Sequence, residues 1–509
     1  MATLSLRRTF QAGISAAALT LAFSGSAAAA DSSPLIAAIK NQDHDAARAL
    51  LKQPARASQV ETDGTTPLHY AAEAGDLQLV QMLLKAGAKP VANRYGITPL
   101  ELAAERGDAP VIDALLQAGA DAKGANKEGE TYLMTAARSG SLESMRLLLT
   151  RGADPNAQEG WYGETALMWA ASQNHAAAVK LLIEAGAKTD TAGKKMTFAR
   201  KVSGQTTLPV GSMTALMYAA RVGALDATKA LIDGGAPLDQ QDPDGTTAMV
   251  LAIINAHYDV AAALLEKGAN PNVADSAGMG ALYATIDMHT LQYMHGRPHA
   301  KASGQLTDID LIKLMLAKNA DIEQKLKTPL LRRHNSTSTQ SLGDGTTPLM
   351  RAAATGDVEV MRLLLAKGAD PNARQKNGTT ILMLASGFGR RGDHNADAQE
   401  FEAGTPADLL AAVKVCVEEL HIDPNAVNDQ GDAALHVAHS GDIARYLVAH
   451  GARVDTKNKR GQTPLAIAFL RKDRSDRQLR PDVVAALREL DNGATPAEAL
   501  KVTNSGPQP

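Results

Sequence analysis

Three histidines lie close together in the chain and are the side chains best suited to chemistry. His289, His295 and His299 fall in and beside one segment that departs from the surrounding pattern, and His334 and His394 follow in later segments. Imidazole nitrogens bind transition metals, so this grouping indicates one possible metal site. Against it, the chain has no His-Glu-x-x-His motif and no cysteine beside these histidines. Metal binding is therefore a subordinate prediction, and the alternative is that these are ordinary loop histidines. We expect no cofactor.

The other motifs that carry chemistry are weak. Gly387 to Gly392 spells Gly-x-Gly-x-x-Gly, but it follows a predicted helix rather than a strand, so we expect no dinucleotide site. The chain has no P-loop and no Gly-x-Ser-x-Gly motif. Its single cysteine, Cys416, sits in an apolar helical stretch, which indicates a buried thiol rather than a nucleophile. The sequence therefore predicts a protein that is not an enzyme.

Composition narrows the class of partner. The chain has 509 residues, a formal net charge of −3, 45% hydrophobic residues and only 3% aromatic residues. A nucleic-acid binder needs a basic face that releases counterions from phosphate, and a nearly neutral chain argues against that function. A core with few aromatic rings must be built from Ala, Leu, Val, Ile and Met, which suits short, closely packed helices.

The first thirty residues have the pattern of an export signal. Arg7 and Arg8 precede a short apolar run over residues 14–23, and Ala28 to Ala30 provide a cleavage site. We expect residues 1–30 to be a signal peptide, cleaved after Ala30, and the mature protein to be periplasmic or secreted. The alternative is a membrane-anchor helix or a core helix. Arg7-Arg8-Thr9-Phe10 partly matches a twin-arginine signal, so Sec and Tat export both remain open. We expect no transmembrane segment after signal removal.

An internal repeat dominates the rest of the chain. The phrase Thr66-Pro67-Leu68-His69-Tyr70-Ala71-Ala72 returns, with variations, from Thr98, Thr131 and Thr165, at intervals of 32, 33 and 34 residues. It recurs in the same way from Thr214, Thr247, Gly280, Thr347, Thr380, Ala433 and Thr463. Thr is a good N-cap and Pro suits the first helical position, while a Gly-Ala pair after each second apolar stretch is typical of a helix end. A period near 33 residues built from two short helices indicates a solenoid.

The phrase Thr-Pro-Leu-His-x-Ala-Ala-x-x-Gly, followed by Leu-Leu-x-x-Gly-Ala, resembles the ankyrin signature. The resemblance implies an all-α ankyrin-repeat solenoid of eleven to twelve units with finger loops between them. We expect a capping repeat over residues 31–62, the solenoid with its insertions over 63–490, and a disordered tail over 491–509.

Four insertions interrupt the repeat, near residues 194–212, 290–307, 328–343 and 390–408. Residues 287–291, 296–298 and 342–348 resemble a group of exported bacterial ankyrin-repeat proteins with mid-chain insertions. That resemblance implies the fold and the export, but no reaction. Neutral insertion is the alternative, since loops tolerate added length, although long loops on a rigid scaffold often bind partners.

In ankyrin-like proteins the finger tips and first helices line a concave binding surface. Trp161 and Tyr162 fall at one finger tip, and exposed aromatics near basic residues are typical of binding hot spots. The full set of candidate partner-binding residues is Trp161, Tyr162, Arg138, Trp169, Tyr218, Arg221, Lys194, Lys195 and Arg200. For Trp169 and Tyr218, packing within the solenoid is the favoured alternative.

We predict a non-catalytic, exported protein-protein interaction module that binds a partner protein or peptide on its concave face and inserted loops. One alternative is an accessory or assembly factor for an exported redox or cofactor enzyme, suggested by the partial twin-arginine motif. A second alternative is a metal-binding or small-ligand-binding protein that uses the histidine-bearing insertions.

Overall fold

The computed structural model describes residues 33–196, 200–203, 206–208, 211–290, 302–327, 342–388, 404–470 and 480–491. The predicted signal peptide, the predicted tail from residue 492 onward and parts of all four insertions lie outside these ranges. No helix in the described ranges is long and apolar enough to cross a membrane.

Within these ranges the chain forms twelve consecutive helix pairs, numbered here as units 1 to 12. Their first helices are Pro34–Lys40, Pro67–Ala74, Pro99–Arg106, Tyr132–Ser139, Ala166–Ser172, Ala215–Val222, Ala248–Ile253, Ala281–Thr290, Pro348–Thr355, Ile381–Ala385, Ala434–Val437 and Pro464–Leu470. Their second helices are His44–Leu50, Leu77–Lys85, Ala109–Gln117, Leu142–Thr150, Ala176–Glu184, Leu225–Asp233, Tyr258–Glu266, Asp308–Ala317, Val358–Ala366, Pro406–Lys414, Gly441–Ala449 and Pro481–Leu490. The predicted all-α solenoid is confirmed.

Unit 3 shows how the repeated residues build the pair. Thr98 caps the first helix by accepting a hydrogen bond from the N–H three residues on, and Pro99 follows at a position that needs no N–H donor. Gly107 ends that helix at a φ of +68°, a left-handed conformation that favours glycine. Asp108 then caps the second helix. The same order of cap, helix, turn, cap and helix makes each unit a compact hairpin.

Alanine pairs allow the hairpins to stack closely. The first helix of each unit packs on the first helix of the next, and second helices pack on second helices through most of the stack. Ala103 and Ala104 in unit 3 and Ala136 and Ala137 in unit 4 are fully buried between these layers. Because a single hairpin cannot bury both of its apolar stripes, the core runs continuously along the solenoid.

Finger loops join the units and are tied to one another by backbone hydrogen bonds. The N–H of Arg94 donates to the carbonyl of Asp63 in the preceding finger at 2.8 Å, and Gly160 donates to Glu128 at 2.7 Å. The pattern continues near the other end, where Lys376 donates to Asp344 at 2.9 Å. The fingers therefore form one continuous edge rather than independent loops.

The four insertions lie at different places in the repeat and change the local structure in different ways. The first contains a short antiparallel hairpin, Arg200–Ser203 paired with Thr206–Leu208. The second and fourth lie between the two helices of units 8 and 10, and the third lies in the finger before unit 9. In unit 10 the second helix continues into a π-helical turn, Val415–Glu419.

Candidate functional site

The finger before unit 5 is one residue longer than the fingers before units 3 and 4 and is held by a glutamate. In shorter fingers an asparagine such as Asn93 accepts the N–H groups two and four residues on. Here Glu159 accepts three backbone N–H groups, from Trp161 and Tyr162 at 2.6 Å each and from Glu164 at 2.9 Å. Glu159 is only 4% exposed. The longer side chain spans the longer turn and fixes two successive aromatic residues at its tip.

Both aromatic residues at this tip reach solvent. Trp161 is 70% exposed and Tyr162 is 42% exposed. The buried carboxylate fixes the main chain of the turn, and two adjacent aromatic side chains extend from it into solvent. Rigid aromatic rings lose little conformational entropy on binding, which suits them to act as anchors.

Basic residues of the first insertion lie against this tip. Lys194 donates its backbone N–H to the carbonyl of Tyr162 and its Nζ to the carbonyl of Gly160, both at 2.6 Å. Lys195 is exposed and its backbone pairs with Gly211 across the insertion. Arg200 begins the first strand of the hairpin that follows. The structure therefore brings Lys194 and Lys195 to the aromatic finger tip that the sequence also singled out.

A second set of candidates lies on the first helices, as two stacked pairs. The guanidinium carbon of Arg138 lies 4.9 Å from the ring centroid of Trp169 in the next unit. Arg221 lies at the same distance from the ring of Tyr218 in its own helix. Trp169 is 9% exposed and packs within the solenoid, which is the alternative that the sequence favoured for this residue. Tyr218 is half-buried. The arginines cover these rings, and the rings offer little free surface of their own.

Carboxylates in this region are bound by the protein's own donors. The Tyr218 hydroxyl donates to Glu164, and burial together with this carboxylate raises the pKa of Tyr218 well above its ordinary value. Glu105 pairs with Arg138 at 3.5 Å. Glu159 also has its donors within the protein, so each of these three carboxylates is hydrogen-bonded or ion-paired inside the fold.

The sequence reasoning missed a buried ion pair in the middle of the solenoid. Arg351 is 1% exposed and Asp287 is 3% exposed, and Nε of Arg351 donates to Oδ1 of Asp287 at 2.6 Å. Burial raises the pKa of Asp287, while Arg351 acts in the opposite direction. Arg351 occupies the repeat position of Trp169, and Asp287 that of Arg138. An arginine where unit 5 has a tryptophan, and an aspartate where unit 4 has an arginine, are the sequence features from which the pair could have been predicted.

His289 makes structural contacts in place of a recognisable metal site. Its Nδ1 lies 3.0 Å from Asp308 and its Nε2 lies 3.5 Å from Asp357, at the start of two other helices. Across the described ranges, no three His, Cys, Asp or Glu side chains are arranged to hold a metal. His295 and His299 lie outside those ranges, so the subordinate metal prediction stays a prediction.

Other candidates for chemistry are accounted for by packing. Cys416 is fully buried, and burial raises the pKa of its thiol to about 12, so the reactive thiolate is scarce at neutral pH. His69 is buried and bonds Thr66 and the carbonyl of Ile97, so it serves the helix start and the next finger. The exposed rings of Trp161 and Tyr162, which lie beside Lys194, are not accounted for by packing.

Comparison with known proteins identifies the repeat. A family model described as ankyrin repeats (3 copies) matches residues 13–94, 90–159, 200–275, 299–393 and 409–495, and a model of the single ankyrin repeat matches residues 162–194. The chain is 36% identical over 128 residues to neurogenic locus notch homolog protein 1 of Danio rerio, covering 24% of this chain and 4% of that protein. It is 34% identical over 141 residues to the Homo sapiens protein of the same name, covering 24% of this chain and 6% of that protein.

An ankyrin repeat and KH domain-containing protein of Caenorhabditis briggsae is also similar, with 30% identity over 165 residues. That match covers 31% of this chain and 5% of the relative. The chain therefore spans only a small fraction of the length of the curated relatives it matches.

Proposed function

Because the chain belongs to the ankyrin-repeat family, whose repeats are protein-protein interaction modules, we propose that it binds a partner protein or peptide at the finger before unit 5. The exposed Trp161 and Tyr162 are the anchors, and Lys194, Lys195 and Arg221 form the polar surroundings. The function requires no bond chemistry, only a fitted surface.

The observation that carries this proposal is a pair of adjacent exposed aromatic side chains on a turn that a buried carboxylate fixes. An isolated exposed aromatic ring is common on protein surfaces and needs no function. Here Glu159 accepts three backbone N–H groups and so fixes the main chain of the turn that carries two adjacent rings. Rigid aromatic anchors next to basic side chains are the usual composition of binding hot spots.

Alanine substitution of both anchors tests the proposal. Partners captured from an extract of the source organism by residues 31–509 are identified by mass spectrometry, and the strongest is then titrated. Trp161→Ala/Tyr162→Ala should weaken its affinity by about 2 kcal/mol or more, which is roughly thirtyfold, with unchanged helix content. Tyr95→Ala is the matched control, since Tyr95 is equally exposed on an earlier finger. Equal affinity of the double variant and the control would remove this finger from the binding surface.

We further propose that the protein acts outside the cytoplasm. The support is the sequence of residues 1–30, with Arg7 and Arg8 before an apolar run and an Ala-x-Ala site. The exported protein should begin at Asp31 when its N-terminus is determined. If it is an accessory factor for an exported cofactor enzyme that uses the twin-arginine route, Arg7→Lys/Arg8→Lys should abolish export. Continued export of that variant would reject this narrower function.

A further inference from the structure

Near the aromatic finger tip, three carboxylates have hydrogen-bond or ion-pair donors within the protein. Glu159 accepts three backbone N–H groups, Glu164 accepts the Tyr218 hydroxyl, and Glu105 pairs with Arg138. Each of these negative charges already has a donor within the fold. A ligand approaching this region therefore meets little free negative charge from them.

Three basic side chains of the same region have no carboxylate partner among the residues that the structure describes. Arg221 stacks over the Tyr218 ring, and its Nη1 lies 3.5 Å from the Met213 sulfur. Lys194 bonds a neutral carbonyl, and Lys195 is exposed. In the part of the chain that the structure describes, none of these three has a carboxylate within ion-pair distance. Among the described residues, these three side chains therefore present positive charge that no carboxylate pairs with.

This positive charge is confined to one part of the solenoid. At the repeat position of Arg221, units 2 and 3 carry Glu73 and Glu105, whereas unit 4 carries Arg138. The sign of the charge at this position therefore changes from acidic to basic along the stack, next to the finger that carries Trp161. A long basic track, which a nucleic acid would require, is not present in this row.

We propose that the segment bound at this face is an extended acidic peptide with an apolar residue placed on Trp161 and Tyr162. The inference rests on the proposed function and adds the chemistry of the partner. Carboxylates of the peptide pair with Arg221, Lys194 and Lys195, and the guanidinium of Arg221 donates two parallel hydrogen bonds to one of them. Stacking on Tyr218 holds that guanidinium in place before the peptide arrives.

The dimensions of the repeat set the length of the peptide. Neighbouring packed helices lie about 8–10 Å apart, so two unit steps span roughly 16–20 Å. An extended chain rises about 3.3 Å per residue, so five or six residues cover that distance. A peptide of about twelve residues covers the face with flanking sequence to spare.

The probe is a synthetic peptide of about that length, with alternating Glu and Ser and a central Leu, labelled for fluorescence anisotropy. Its counterpart with Gln in place of Glu, and a single-stranded oligonucleotide of similar length, are measured beside it. The acidic peptide should bind at least tenfold more tightly than the Gln peptide, and the difference should shrink as salt is added. Equal binding of the two peptides, or tighter binding of the oligonucleotide, would overturn the inference.

Charge reversal locates the site. Lys194→Glu/Lys195→Glu/Arg221→Glu should reduce affinity for the acidic peptide at least tenfold. Lys85→Glu/Lys180→Glu/Lys229→Glu is the matched control, since all three residues are exposed on second helices, those of units 2, 5 and 6. Equal losses in the two variants would reduce the binding to general charge attraction and overturn the inference.

The same variants separate this inference from the proposed function. A captured partner that is lost on Trp161→Ala/Tyr162→Ala but retained on charge reversal supports the finger as a binding site and rejects an acidic segment. An acidic peptide lost on charge reversal but unaffected by the aromatic substitutions supports the charge assignment and rejects the anchors.

Discussion

Replacing Arg351 tests whether the buried ion pair holds the middle of the solenoid together. The guanidinium and the carboxylate of Asp287 are both almost fully buried and meet at 2.6 Å between units 8 and 9. Unit 7 carries the apolar residues Leu251 and Ile254 at these two repeat positions. Arg351→Leu and Asp287→Ile therefore introduce side chains that the fold already accommodates at equivalent sites.

The magnitude follows from which charge is left behind. Arg351→Leu leaves the Asp287 carboxylate buried without its partner, which costs about 3–5 kcal/mol. Asp287→Ile leaves a buried guanidinium and should cost a similar amount. The double variant has no buried charge, and replacing a buried pair by apolar residues of similar volume is often neutral or stabilising by about 1–4 kcal/mol. The double variant should therefore be more stable than either single variant.

Native-state hydrogen exchange is the suitable assay because stability in a solenoid is distributed over neighbouring units. Opening free energies of the amides in Ala281–Thr290 and Pro348–Thr355 are compared among the wild type and the three variants. A single variant within about 1 kcal/mol of the wild type would refute the reasoning, given the cost of a buried unpaired charge. A double variant as unstable as the single ones would also refute it.

Three further predictions concern the rest of the chain. Its hydrogen bond with Asp308 raises the pKa of His289, so the stability that these contacts add is complete below about pH 6.5 and is lost as the pH rises through the raised pKa. His289→Ala should therefore lower Tm more at about pH 5.5 than at about pH 9, and equal losses would contradict this. Cys416 should react with a thiol reagent only when the protein unfolds, and rapid labelling of the folded protein would be the contrary result. Glu159→Ala should speed amide exchange at Trp161 and its neighbours without changing helix content, whereas unchanged exchange would show that the carboxylate does not hold the finger.

The fold could be predicted from the sequence because every unit repeats the residues that start and end its helices. Thr98 and Pro99 start a helix, Gly107 ends it and Asp108 starts the next, and these local signals act within a few residues. Stacking follows from the apolar stripe that each hairpin leaves uncovered. The strand pairing of Arg200–Ser203 in the first insertion was not predicted, since an insertion has no repeated pattern from which to infer its structure.

The candidate site was accessible only in part. Trp161 stood out because it and Tyr162 are two adjacent aromatic residues at one finger tip. The role of Glu159 was not predicted, because its three hydrogen bonds depend on the path of a turn one residue longer than usual. The ion pair of Asp287 and Arg351 joins residues 64 positions apart, and the two insertions between them concealed that neighbouring units bring these repeat positions together.

Quenching of tryptophan fluorescence by acrylamide tests the central claim most directly. The chain has only two tryptophans, Trp161 at 70% exposure and Trp169 at 9%, so the quenchable emission comes mainly from the finger tip. Saturation with the captured partner should shield this emission, and Trp161→Phe should remove the shielded component while Trp169 continues to emit. A partner that binds at full occupancy and leaves the quenching of Trp161 unchanged would contradict the claim that this finger is the binding surface.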